Sequence, residues 1–175
     1  MEQLVQKSSG QFIYASTVIR YVASIRHKPV DRLDIILGIR PPQRDLPFAE
    51  LDALYTHILS GAEDIEHVLE ILGVIFFCDH SGSRKWNLRP QMIEKVLGLQ
   101  PGDVELYLGD LNSLVYIEPG RCSQYIRVLH ATLTDFFVDP TRSKIFWINR
   151  QALHTAFARQ CLQACQIPGK QDYFL

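Results

Sequence analysis

His130 is the residue in this chain best placed, by type and by setting, to do chemistry. The stretch from Tyr125 to Asp139 reads Tyr-Ile-Arg-Val-Leu-His-Ala-Thr-Leu-Thr-Asp-Phe-Phe-Val-Asp. Its first half alternates: Ile126, Val128 and His130 fall on one face and Tyr125, Arg127 and Leu129 on the other, as in a strand. The period then changes. Leu133, Phe136 and Phe137 stand at i, i+3 and i+4, the spacing of one helix face. Thr132 is positioned to cap that helix, with Asp135 three residues on for a capping-box-like start, and Asp139-Pro140 stops it. An imidazole at a strand-to-helix junction lies beside the free amides of a helix start, so ring and amides can meet one anion. The plainer role for such a histidine is to satisfy a local carbonyl.

Two further groups of residues have reactive types. His154, Cys161 and Cys165 share one face of a C-terminal helix, which is a thiolate-imidazole geometry for a metal. Zinc pairs usually come from turns with two-residue gaps, and a fourth ligand is missing, so buried helical cysteines are the reading preferred and no metal is expected. Cys122 with His130 has the types of a nucleophile and its base. Cys122 falls in a hairpin tip with nothing to form an oxyanion hole, so no catalytic residue is assigned.

The elements that must position His130 follow from periodicity and punctuation. Ser8 or Ser9 caps a helix with Phe12, Ala15, Ile19 and Val22 as its stripe, ended by Pro29. Asp31 to Leu37 is a short helix with Gly38 behind it. Residues 40–47 are a stiff, proline-rich connector. Phe48, Leu51, Tyr55 and Ile58 mark the next helix, closed by Gly61. Ala62 to Cys78 is apolar on two sides, which makes it central to the core. Trp86-Asn-Leu88 has the look of a short strand. Pro90 opens a helix ending at Gly98, and Asp103 caps another carrying Val104, Leu108 and Leu111. Val115–Glu118 and Tyr125–Leu129 form a hairpin around Pro119-Gly120. Residues 139–143 read as a loop, 144–148 as a short extended piece, and a last helix begins near Gln151. Three helices followed by a hairpin is the order of a winged helix. The fold expected is mainly α: a small helical domain over 1–61, a winged helix with a short two-stranded wing over 62–148, and the start of a further helical region over 149–175.

Composition narrows the partners. The 175 residues carry 18 Lys+Arg against 19 Asp+Glu, so no global charge draws in nucleic acid or an anionic membrane. Winged helices often read DNA, but that mode needs cations on the third helix and the wing. Residues 96–120 contain no Lys or Arg and hold Asp103, Glu105, Asp110 and Glu118, which would repel a duplex. The longest apolar run, Ile71 to Cys78, is too short to span a bilayer. The N-terminus has no signal core, and the four cysteines lack a secreted spacing. A cytoplasmic setting is expected, with no nucleic acid and no membrane as partner.

Val128-Leu-His130-Ala-Thr-Leu-Thr-Asp135-Phe136-Phe137 resembles the winged-helix histidine motif of NACHT-type signal-transducing NTPases, the NOD-like receptors, in particular those of filamentous fungi. In that motif an apolar residue stands two before the histidine, and an acidic-aromatic pair follows five and six after it. Leu133 departs from it, since an aromatic is usual there. Gly10-Gln-Phe-Ile-Tyr-Ala15 resembles the glycine-started helix that follows the ATPase core and packs near the nucleotide. Leu33-Asp-Ile-Ile-Leu-Gly38 and Leu51-Asp-Ala-Leu-Tyr55 resemble the helical domain of the fungal members, and Leu69 to Phe77 the helix that opens their winged helix.

The resemblance implies a non-catalytic regulatory module that holds a resting, ADP-bound state. His130 would contact the β-phosphate of ADP, and Gly10 and Phe12 would pack near the nucleotide. The chain has no Gly-x-x-x-x-Gly-Lys-Ser/Thr phosphate loop. No cofactor is therefore assigned to it, and ADP or ATP is implied only for a protein with an upstream NTPase core. That core would be its intramolecular partner, and other protomers would join on activation. The alternative is a winged-helix protein-protein interaction module with no nucleotide role, and behind it a DNA-binding winged helix.

Overall fold

The computed structural model describes residues 2–8, 11–23, 28–39, 48–80, 88–118, 124–149, 151 and 155. Helices dominate, with one small antiparallel sheet. In the first half the described elements are all helices: α1 (Glu2–Ser8), α2 (Phe12–Val22), α3 (Pro29–Gly38) and α4 (Ala49–Ser60). The second half begins with α5 (Ile65–His80), α6 (Pro90–Leu97) and α7 (Asp103–Leu108), which runs into a 3-10 turn at Gly109–Leu111. Strands β1 (Val115–Glu118) and β2 (Tyr125–Val128) follow, then α8 (Ala131–Val138), α9 (Pro140–Ser143) and a 3-10 turn at Lys144–Phe146.

Local chemistry explains most of the boundaries. Proline stands at the first position of α3, α6 and α9, where its missing N–H costs nothing. Gly98 ends α6 at φ 71°, a left-handed conformation that a side chain would strain. Asp64 accepts the His67 amide at the start of α5, and Asp139 accepts the Thr141 amide at the start of α9.

One cluster of buried apolar side chains runs from Tyr14 to Ile148 and draws on both halves. The central place expected for α5 is observed: Val68, Ile71, Leu72, Val74, Ile75 and Phe76 are all buried. Burying each such side chain contributes roughly 1.5–3 kcal/mol. In the sheet Val115 pairs with Val128 and Ile117 with Ile126; Val115 and Ile126 point into the core, and Tyr116 and Arg127 out to solvent. The Ile126 amide donates to the Leu88 carbonyl at 2.8 Å, so the segment before α6 lies along the outer side of β2.

Several expectations need correction. The buried face of α2 is Tyr14, Thr17, Val18 and Tyr21, whereas Phe12 is 86% and Ile19 68% exposed. Thr17 and Tyr21 bury because their hydroxyls find partners, and a purely hydrophobic count misses that. Gln11 precedes α2 in the cap position, while the Ser8 hydroxyl donates back to the Val5 carbonyl. Gly102, at φ 96°, takes the cap position of α7 and Asp103 is its first residue. His130 itself is the cap residue of α8, because β2 feeds straight into the helix; Thr132 lies inside the first turn. Residues 139–143 wind into α9, and the expected extended piece 144–148 opens as a 3-10 turn. Among the described residues no helix is long and apolar enough to cross a membrane.

Candidate functional site

His130 reaches its position through two constraints. Strand β2 is pinned by its pairing with β1, and the Leu129 amide donates to the Leu114 carbonyl at 3.0 Å. Helix α8 is anchored beyond it by Leu133, Phe136 and Phe137, all buried. The residue between them has little freedom, and its backbone is extended (φ −138°, ψ 121°). Its carbonyl accepts the Leu133 amide at 3.1 Å as the first turn closes.

The imidazole points back across the molecule to α2. Its Nε2 lies 2.9 Å from the Thr17 hydroxyl, a partner 113 residues away in the chain. The Thr17 hydroxyl also donates to the Ile13 carbonyl at 2.9 Å. A hydroxyl has one proton, so with that proton on Ile13 the donor in the second bond is Nε2–H. The neutral ring then carries its lone pair on Nδ1. His130 is 6% exposed. Burial, with the Arg20 charge nearby, holds its pKa below the ordinary histidine range. Such a ring is neutral at pH 7. It meets an anion at Nδ1 only by taking up a proton, which the anion itself would favour.

The same seam carries other polar contacts. The Thr132 hydroxyl, freed from capping, lies 3.0 Å from the Tyr55 hydroxyl of α4, and the Tyr55 ring packs edge-on against Phe136. Arg142 of α9 grips Asp52 of α4 with both Nε and Nη2. One turn further along the same face of α2, Tyr21 bonds His57 of α4 at 2.9 Å, and Arg32 of α3 sits 4.1 Å over the Tyr21 ring while donating to its carbonyl. Thr17, Tyr21, His57 and Arg32 are functional candidates that sequence reasoning missed. The available signal was the i, i+4 pair of hydroxyls in an otherwise apolar helix.

The remaining sequence candidates come out separately. Phe12 is at the start of α2 and exposed to solvent; Gly10 lies outside the described residues. His154, Cys161, Cys165 and Cys122 also lie outside them. Among the described residues no three His, Cys, Asp or Glu side chains are grouped to hold a metal ion. Chemically, the seam offers one histidine nitrogen for a single anionic oxygen, which fits one contact to a phosphate and not a whole nucleotide pocket. The chain matches no protein-family model, no curated protein and no solved structure.

Proposed function

We propose that this chain is a non-catalytic regulatory module of a NACHT-type signalling NTPase, a winged helix preceded by a helical domain, acting in the cytoplasm. His130 would help hold the ADP-bound resting state against an upstream core. The observation that carries the reading is where His130 sits: at the exit of the second wing strand, on the first turn of α8, and in contact with α2. The resemblance assigns α2 to the helix directly after the nucleotide-binding core.

Two features support it. The order α5, α6, α7, β1, β2 is that of a winged helix, and the Leu88–Ile126 bond stands where its extra strand pairs with the wing. The exposed stripe of Phe12 and Ile19 is an apolar surface of the kind that docks on another domain. ADP, when bound, would supply the phosphate oxygen. This chain's part is to orient the imidazole through Thr17 and to take up a proton at Nδ1.

A second reading is favoured by the Thr17 bond itself. A buried histidine with an internal partner can be a packing residue of a protein-protein interaction module. Thr17→Val and His130→Ala separate the two. Both remove the internal bond, so both should lower the melting temperature of the chain. In the protein rejoined to its NTPase core, His130→Ala should also speed ADP release about ten- to a hundredfold beyond Thr17→Val, the worth of a charge-assisted hydrogen bond of roughly 1.5–3 kcal/mol. Equal ADP release in both variants would leave the interaction module standing.

A further inference from the structure

Helix α2 is held on its buried face by two histidines from two different elements. Thr17 and Tyr21 stand one turn apart. Thr17 is bonded to Nε2 of His130 at the start of α8, and Tyr21 to Nε2 of His57 in α4, each at 2.9 Å. The Tyr21 and His57 rings also pack edge to face, with centroids 5.7 Å apart. Between these two bonds lies Val18, fully inside the core.

We propose that the two histidines form a proton-sensitive clasp, and that protonating both imidazoles loosens α2 from α4 and α8: a proton on Nδ1 of His130 leaves the Thr17 bond in place but, with no anion beside it, puts an uncompensated charge into the buried seam. The clasp rests on contacts within this chain and needs no nucleotide.

The charged surroundings fit this role. His57 faces Tyr21 from α2 and Arg32 from α3. Arg32 lies over the ring of the same tyrosine that His57 bonds, so a proton on His57 puts a second cation beside the guanidinium. His130 faces Thr17 and Arg20 from α2 and, through Thr132, Tyr55 from α4. Three carboxylates of the neighbouring helices have partners elsewhere, Asp52 with Arg142, Glu50 with Lys7 and Asp139 with Thr141, and Asp31 and Asp34 of α3 are exposed. Asp135 of α8 is exposed. Both rings are consequently held below the ordinary histidine pKa, first by burial and then by the arginine beside each.

The sign follows from linkage. The folded clasp binds fewer protons than the loosened state once pH falls below the ordinary value of 6.5. The closed arrangement is therefore fully favoured above that pH and loses ground as pH drops beneath it. One unit below, each histidine shifts the balance by up to about tenfold, and the pair by up to about a hundredfold.

Two measurements on the unaltered protein and one set of variants test this. Imidazole proton resonances should place the titrations of His57 and His130 both below 6.5. Amide exchange across residues 12–22, corrected for intrinsic rate, should speed by up to about a hundredfold from pH about 7.5 to about 5.5. His57→Gln and His130→Gln should each remove part of that dependence, and the double variant all of it. Should the double variant not fold, the two measurements on the unaltered protein decide. Either ring titrating at or above 6.5, exchange in α2 indifferent to pH, or a double variant with the full dependence would overturn the proposal.

Discussion

Arg142 holds Asp52 across ninety residues of chain, with Nη2 at 2.7 Å and Nε at 3.0 Å from the two carboxylate oxygens. Both side chains are less than one-fifth exposed, and the guanidinium also covers the Phe48 ring at 4.9 Å. This fork ties α9 to α4, an element of the second half to one of the first. Two parallel charge-assisted bonds in a shielded site are stronger than a surface pair. Asp52→Asn should lower unfolding stability by about 1–3 kcal/mol in urea. Arg142→Lys should recover little of the difference, because an ammonium lacks the planar fork. A shift under about 0.5 kcal/mol for Asp52→Asn would reduce the pair to a surface contact.

The two faces of α2 should respond oppositely to substitution. Val18 is buried between the Thr17 and Tyr21 bonds, and Phe12 is solvated. Val18→Ala should cost about 1–3 kcal/mol through lost burial and a small cavity. Phe12→Ser should stay within about 0.5 kcal/mol. Reversed sensitivities in chemical denaturation would mean that α2 packs through its Phe12–Ile19 stripe after all.

That pair of faces also marks where sequence stopped being readable. The apolar helix around Ile75 was legible, because a helix hydrophobic on two sides has nowhere to go but the core. Pro90, Gly98 and the alternation around Ile126 announced their turns and strands through backbone constraints that act within a few residues. The face of α2 was not legible, because Thr17 and Tyr21 bury by finding partners, His130 and His57. Those partners lie far away in sequence and leave no local trace. Thr132 misled for the same reason. Its hydroxyl suits a cap, yet Tyr55 claims it. His130 stood out as a candidate, but its bond to Thr17 needed coordinates.

DNA binding should be absent or weak. The third helix of the second half, α7, bears Asp103 and Glu105, and in the hairpin Arg127 is paired with Glu118, which cancels one of the few cations there. With acids on α7 and Arg127 paired, few counterions are released from this face and little affinity is gained. Fluorescence anisotropy with a short duplex at physiological salt should give a dissociation constant weaker than about 10 μM. Sub-micromolar binding that disappears in Arg127→Glu would contradict the charge argument.

Alkaline pH should unfold this chain through two tyrosines. Tyr14 and Tyr55 are both pushed up to about 12, chiefly by burial. Glu50 adds to the effect at Tyr14. At Tyr55 the bond to Thr132 and the charge of Arg142 pull the other way, and Asp52 pushes up. In the unfolded chain both phenols ionise near the ordinary value of 10.0. Between these values the folded state keeps protons that the unfolded state releases, so stability falls as pH rises. The slope should approach about 1.36 kcal/mol per pH unit for each tyrosine above pH about 10. Tyr55→Phe should remove one share of the slope, and its cost at neutral pH should be only about 0.5–1.5 kcal/mol for the bond to Thr132. Urea midpoints at pH about 8 and about 11, read with the phenolate absorbance, check both parts. A urea midpoint that stays the same between pH about 8 and about 11 would show that neither ring is buried as described.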